Sequence, residues 1–327
     1  MAAEPRFRPR RFAHSNLFIT DVLRSTEFYG RIVGLEEVFQ EPDISAGFLG
    51  NGNTHHDVSV TQVSDESLIG REGQVLVPEE FGRRPDLFHI AFEMENEAEL
   101  VAAHARAVEY GVTIIMTVDH SFAKSVYLLD AERNMLEFTS DSVHDWRATY
   151  REFEGKLVTG PWTPGERRPE TERYYSPDPE IRRIEDAAVH SRRTTHAVLG
   201  CRDLERQLAF YREVGGLETA VHSESCRIAV LRGTAADYSI VLFQALGDQE
   251  PGYHHMAFEV SPADFDGDIR RLERSGIAIE SRLDHPAKKA VLLRDPDGHG
   301  IEFYAPLGKP PVSLPENELR QFWLAPA

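Results

Sequence analysis

The chain has 327 residues, 41% hydrophobic and 28% charged, with 36 basic and 54 acidic side chains and a net charge of −18. That length predicts two domains, each able to bury a core, and the acidic balance argues against a nucleic-acid partner, whose phosphates must be neutralised. No apolar run reaches the roughly 18 residues of a membrane helix, residues 1–11 lack the apolar centre of a secretory signal, and Cys201 and Cys226 cannot frame a disulfide scaffold; a cytoplasmic protein is expected.

In chain order, a short strand carries His14 and a helix over 23–33 follows, ending at Gly34 as a left-handed cap would. Strands are expected over 46–49 and 57–62, then a strand over 88–93 containing His89. A second helix covers 97–110, and strands over 125–129 and 136–139 flank a turn at 130–134 with turn chemistry. A proline-rich, charged linker over 146–193 follows, with a short helix expected over 179–187. The opening order then returns. A strand carries His196, a helix covers 204–214, strands cover 227–231 and 239–244, and His255 opens a strand over 255–260. A helix over 262–275 and strands over 289–293 and 301–304 complete it. The expected domains are therefore 1–145 and 194–306, with the linker between and a tail over 307–327, where Phe322, Trp323 and Leu324 suggest packing.

The return is a duplication. Aligned from His14 and His196, nine of 25 positions agree, among them Asp21/Asp203, Phe28/Phe210, Tyr29/Tyr211 and Gly34/Gly216. Farther on, Phe88 to Glu93 faces His254 to Glu259, Asp119-His120 faces Asp284-His285, and Leu136-Glu137-Phe138 faces Ile301-Glu302-Phe303. Each half reads as two βαβββ units. The Phe-Tyr pairs are expected to anchor the first helix of each half on its own sheet.

Two neutral imidazoles and one carboxylate on one face hold a divalent transition metal and leave the opposite face open. The first half offers His14, His89 and Glu137; the second offers His196, His255 and Glu302. The spacing from second His to Glu is 137 − 89 = 48 in one half and 302 − 255 = 47 in the other. A lone strand histidine is more often a core or surface residue, but the same order found twice favours ligands. No GxGxxG or GxxxxGK[ST] pattern precedes a helix, so a phosphate-cradling loop is not expected.

The motifs His14-Ser15-Asn16-Leu17, His55-His56-Asp57-Val58, Phe88-His89-Ile90-Ala91-Phe92, Tyr127-Leu128-Leu129-Asp130 with Leu136-Glu137-Phe138, and His255-Met256-Ala257-Phe258 carry a resemblance. The chain resembles the vicinal oxygen chelate superfamily and, within it, the type I extradiol ring-cleaving dioxygenases. The resemblance implies an α+β fold of tandem domains, each of paired βαβββ units curling a mixed sheet around a metal pocket. It implies Fe(II), or Mn(II), held by His14, His89 and Glu137, with a catechol-type aromatic diol (or a hydroquinone) and O2 as substrates. It also implies a homo-oligomer, dimer or tetramer. By family role, His56 matches the acid–base histidine, His120 a second histidine near the substrate, Tyr127 a hydrogen-bonding tyrosine, and Asn16 an orienting amide.

In the second half these places read Tyr238 for His56, Val291 for Tyr127, Val198 for Asn16 and His285 for His120. Chemistry is therefore expected in the first half, whereas the family usually works in its C-terminal half. The triad His196, His255 and Glu302 could hold a structural metal, be empty, or be the working site. The alternatives within the superfamily are a glyoxalase-type isomerase or lyase using zinc or nickel, and a metabolite-binding resistance protein without metal. His55 and His254 are expected to point away from their neighbours His56 and His255, by strand alternation. His104 is expected at the surface, and His144, His190 and His222 have no partner at a recurring spacing.

Overall fold

The computed structural model describes residues 6–79, 81–247, 249–308 and 314–324, with Glu316 and Asn317 as backbone only. The first half runs β1 (Arg11–Ile19), α1 (Val22–Phe28), β2 (Glu36–Glu41), β3 (Ala46–Gly50), β4 (Val58–Gln62), β5 (Leu68–Ile69), β6 (Val75–Val77), β7 (Asp86–Glu93), α2 (Glu97–Glu109), β8 (Ile114–Asp119), β9 (Ala123–Leu129) and β10 (Met135–Asp141). Then come α3 (Trp146–Glu152) and β11 (Gly160–Pro161). The second half runs β12 (Ser191–Cys201), α4 (Leu204–Glu213), β13 (Glu218–Ser223), β14 (Ile228–Arg232), β15 (Ile240–Gln244), β16 (Gly252–Val260), α5 (Phe265–Arg274), β17 (Ile279–His285), β18 (Lys288–Arg294), β19 (Gly300–Pro306) and α6 (Glu316–Leu324).

The strands form a nine-stranded sheet ordered β11-β8-β9-β10-β7-β1-β4-β3-β2 and an eight-stranded sheet ordered β13-β14-β15-β12-β16-β19-β18-β17. Both are mixed: β1/β4 and β7/β10 are parallel among antiparallel neighbours, as are β12/β15 and β16/β19. This is the expected α+β architecture of curled mixed sheets. Besides the short β5, β6 and β11, four strands were not expected: β2, β8, β13 and β17. Each follows a helix at or near a sheet edge, where one face meets solvent and the alternation that marks a strand is diluted; β2 reads Glu-Glu-Val-Phe-Gln-Glu.

Asp21 and Asp203 start the first helix of each half by accepting the N–H of Arg24 and Arg206, which satisfies one of the free first-turn donors. The expected 23–33 helix is a seven-residue α-helix followed by a π-helical turn over Tyr29–Val33, stopped at Gly34 with φ of 81°. A Cβ on Gly34 would collide with the Val189 carbonyl, so that position needs glycine for space as well as for φ. The expected helix over 179–187 does not form. The segment runs along the first half as loop and turn, with Arg182 N–H on Asn51 O at 2.8 Å and, just beyond it, Ala188 N–H on Arg31 O at 2.8 Å. Donors spent on another segment cannot make helical bonds.

The backs of the sheets share two cores. In one, α2 (Leu100, Ala103) and the outer faces of β7 and β10 meet α4 (Leu204, Leu208) and Leu199 and Leu242. In the other, Phe28, Tyr29 and Val60 meet Met256, Phe258, Ile301 and Phe303. The Phe-Tyr pairs therefore do more than anchor a helix to its own sheet. The Tyr29 hydroxyl donates to Asp295 at 3.1 Å and the Tyr211 hydroxyl to Asp130 at 3.3 Å, each in the turn of the opposite half.

Candidate metal centre

Strand alternation sends Leu17, Val60, Ile90 and Phe138 to the shared cores and leaves the other face of each strand to the concave side. His14 on β1, His89 on β7 and Glu137 on β10 lie there. Register places Asn16 opposite His89 and Tyr127 opposite Glu137. The Asn16/Leu17 shift against β7 is a bulge, which re-aims side chains and lets Phe88 and His89 both line the cavity.

The Nε2 atoms of His14 and His89 each stand 3.0 Å from Glu137 Oε2, and the three side chains are 1%, 4% and 3% exposed. Two donors bound at right angles, each about 2.1 Å from one ion, are ~3.0 Å apart. The donor set therefore fits a divalent transition metal. Burial pushes His14 down to about 4 against the pull of Glu137. Burial pushes the Glu137 carboxyl up, but His14 and His89 outweigh it and hold it well below the usual carboxylate range. A neutral His14 ring beside an ionised Glu137 carboxylate matches the protonation states a metal requires of such ligands. The Ser125 hydroxyl donates to Glu137 Oε1 at 2.5 Å, leaving Oε2 for the shared point. The ring Nδ1 atoms of His14 and His89 are buried without a partner; packing orients the rings, His14 at 4.0 Å from the His56 ring and His89 at 4.6 Å from Phe88.

Around this point stand the other expected residues. His56 is buried with neither ring nitrogen hydrogen-bonded, and burial with His14 alongside pushes it well below the ordinary imidazole value. His120 Nε2 lies 3.1 Å from the Tyr127 hydroxyl and 3.9 Å from Glu137 Oε1. Burial pushes His120 down to about 4 and Tyr127 well above the ordinary phenol value. The Asn16 amide oxygen accepts from Thr61 at 3.2 Å; that bond, rather than one to His56 or a triad member, is what the structure gives it. All line one cavity with Glu41, Phe48, Leu68, Leu76 and Met116.

Two alternation arguments fail. His55 does not point away: residues 51–57 are bends, β4 starts at Val58, and His55 lines the cavity with Nδ1 2.9 Å from Asp141. His254 occupies the bulge of β16 that matches Phe88, and its Nδ1 is 2.6 Å from that of His255. His104 is partly buried on α2, and His144, His190 and His222 pair with Glu172, Asp268 and Glu205 outside the cavity.

The second triad differs. His196 and His255 Nε2 are 3.7 and 3.6 Å from Glu302 Oε2, and all three atoms lack a hydrogen-bond partner. Lys288 Nζ bonds Glu302 Oε1 at 2.6 Å with both side chains buried. Burial would push the Glu302 carboxyl up, but Lys288 and the histidines reverse that and hold it far down. The space in front is filled by α6: the Trp323 ring is 5.8 Å from His196, and Phe322 and Leu319 pack beside it. The counterpart of Tyr127 is Leu292, not Val291, because Glu302 pairs with Leu292 as Glu137 pairs with Tyr127. Tyr238 does stand in the place of His56, its hydroxyl donating to Tyr304 at 3.0 Å. His285 turns toward α6, with Nε2 3.8 Å from Glu318.

Sequence reasoning missed Ser125, Glu41 and Lys288. Ser125 lies two residues from Tyr127 and was reachable by alternation; Glu41 and Lys288 carried no signal, since a charged residue near a strand end reads as solvated.

The chain belongs to the Glyoxalase/Bleomycin resistance protein/Dioxygenase superfamily, whose model matches residues 11–138 and 193–303. It is 26% identical over 251 residues to catechol-2,3-dioxygenase of Bacillus subtilis, covering 74% of this chain and 71% of that one. It is 29% identical over 111 residues to metallothiol transferase FosB of Lysinibacillus sphaericus, covering 33% of this chain and 79% of that one. Two solved structures share the fold. The Mn(II)-bound glyoxalase of Novosphingobium aromaticivorans has a TM-score of 0.66 at 16% identity, covering 92% of this chain and 84% of that one. The 2,3-dioxygenase LapB of Pseudomonas sp. KL28 has a TM-score of 0.66 at 13% identity, covering 94% and 96%. Among the described residues, no helix is long and apolar enough to cross a membrane.

Proposed function

We propose that the protein is a metal-dependent extradiol dioxygenase that opens a catechol-type ring with O2 at the first-half triad. The carrying observation is the convergence of His14, His89 and Glu137 at 3.0 Å in a cavity that also presents His56, His120 and Tyr127. The likeness to catechol-2,3-dioxygenase over most of the chain supports this reading. Packing of Trp323 against His196 supports placing the chemistry in the first half.

His14, His89 and Glu137 would hold Fe(II), or Mn(II), which supplies the redox chemistry that lets triplet dioxygen react with a closed-shell ring. His56, neutral and with free ring nitrogens, accepts a proton from a catechol hydroxyl and returns it to the ring-opened product. The Tyr127 hydroxyl, steadied by His120, donates a hydrogen bond to a substrate oxygen. Phe48, Leu68, Leu76 and Met116 hold the ring and keep bulk water out. Assembly as a homo-oligomer and a cytoplasmic location belong to the same proposal.

The test is oxygen uptake by iron-loaded protein with catechols and hydroquinones, with formation of a yellow semialdehyde-type product. Glu137→Ala abolishes uptake and lowers iron content, while Glu302→Ala retains both. Absence of uptake with every catechol and hydroquinone overturns the reading. The FosB likeness favours a second reading, non-oxidative superfamily chemistry, which metal analysis separates: iron or manganese supports the oxygenase, zinc or nickel the other enzymes, and no metal a binding protein.

A further inference from the structure

Glu41, at the end of β2, is a carboxylic acid in a largely apolar wall. It is 1% exposed and lines the same cavity as the triad, beside Ile44, Phe48, Leu68, Leu76 and Val77. Its Oε1 accepts the Val158 N–H at 2.8 Å. Among the described residues, Oε2 has no hydrogen-bond partner. Val158 leads into β11, at the opposite edge of the nine-stranded sheet from β2, so the carboxyl sits where the two edges approach. Close by, the Tyr150 hydroxyl is buried without a partner. Among the described residues, neither lysine nor arginine lines this cavity.

A buried carboxyl with one backbone donor and no cation is under-satisfied. Burial accordingly pushes Glu41 up to about 7. Its free oxygen wants a donor, and a substrate brought into the cavity can provide one. A substrate carboxylate reaching this wall, in contrast, meets the Glu41 carboxyl and, among the described lining residues, no lysine or arginine to pair with.

We infer that Glu41 is a specificity residue: the cavity takes an aromatic diol whose substituent is apolar along its length and ends in an amine, and it rejects one ending in a carboxylate. This rests on the diol reading of the site. The competing role for Glu41 is purely structural, tying the Val158 strand to β2. Gln at this position keeps the carbonyl acceptor for Val158 and removes the charge, so it separates the two.

The test uses three probes of similar size: 4-(2-aminoethyl)catechol, 4-ethylcatechol and 3,4-dihydroxyphenylacetate. Anaerobic equilibrium binding is followed by intrinsic fluorescence, and oxygen uptake is measured separately. Wild-type protein binds the amine at least about tenfold more tightly than the ethyl compound, as a charge-assisted hydrogen bond in a dry site provides, and binds the carboxylate least. Glu41→Gln brings the amine to within about twofold of the ethyl compound and leaves the ethyl compound unchanged, because only the charged contact is lost. A wild-type series without amine preference, a carboxylate bound as well as the ethyl compound, or a Glu41→Gln protein that keeps the preference overturns the inference. The wild-type series decides even where the variant fails to fold. The binding order without any oxygen uptake sinks the dioxygenase reading and leaves Glu41 standing; uptake with a flat binding order does the reverse.

Discussion

Replacing Lys288 by methionine tests what neutralises the second triad. Lys288 and Glu302 meet at 2.6 Å with side chains 5% and 0% exposed. Removing the ammonium leaves a carboxylate in a dry core, and breaking a buried pair in this way costs about 3–5 kcal/mol. Methionine retains most of the bulk that packs over the Phe322 ring, 4.6 Å from the ammonium. At roughly 2–4 °C per kcal/mol for a large domain, the melting temperature falls by about 6–20 °C. The assay is thermal and urea unfolding in the presence of a chelator. Lys288→Met with Glu302→Gln recovers most of the loss, because an uncharged pair carries no such penalty. Added zinc also recovers stability in the single variant, since His196, His255 and Glu302 then face an ion without a competing ammonium. A Lys288→Met protein within about 1 kcal/mol of wild type, below the cost of an uncompensated buried charge, refutes the reasoning.

His56→Ala lowers kcat by about 10²- to 10⁴-fold, the usual share of a general acid–base group, with iron content unchanged by elemental analysis. Tyr127→Phe keeps the metal and lowers kcat more modestly, by about tenfold for one lost hydrogen bond, measured with the same diol. The stability of the Glu41→Gln protein depends less on pH than that of wild type. The folded-state value of about 7 lies above the ordinary 4.5, so the contribution of protonated Glu41 is complete below about 4.5 and is lost as pH rises through about 7. Urea unfolding between those limits detects a wild-type decline of at most ~3 kcal/mol that the variant lacks.

The triad was legible because duplication printed it twice: His-His-Glu in one order at nearly equal spacing is hard to obtain from core residues alone. The helix starts at Asp21 and Asp203 were equally readable, since capping is local. What was hidden depended on tertiary placement. A one-residue bulge is invisible in sequence and undoes alternation at once, as His254 shows. His55 was misassigned because a bent loop was read as strand. Lys288 reads as a solvated strand end until α6 folds over it, and the 179–187 segment reads as helix until its N–H groups are claimed by the first half.

The crossed tyrosines have a consequence for the chain as a physical object. Tyr29 is answered by Asp295 and Tyr211 by Asp130, so the molecule is built like a handshake, each partner gripping the other's wrist. A cut in the proline-rich connection would leave both pieces clasped. Either piece made alone would expose half of two shared interiors and take from its turn aspartate the tyrosine that the other half supplies. Melting should accordingly register as one event, with both histidine–glutamate clusters lost together.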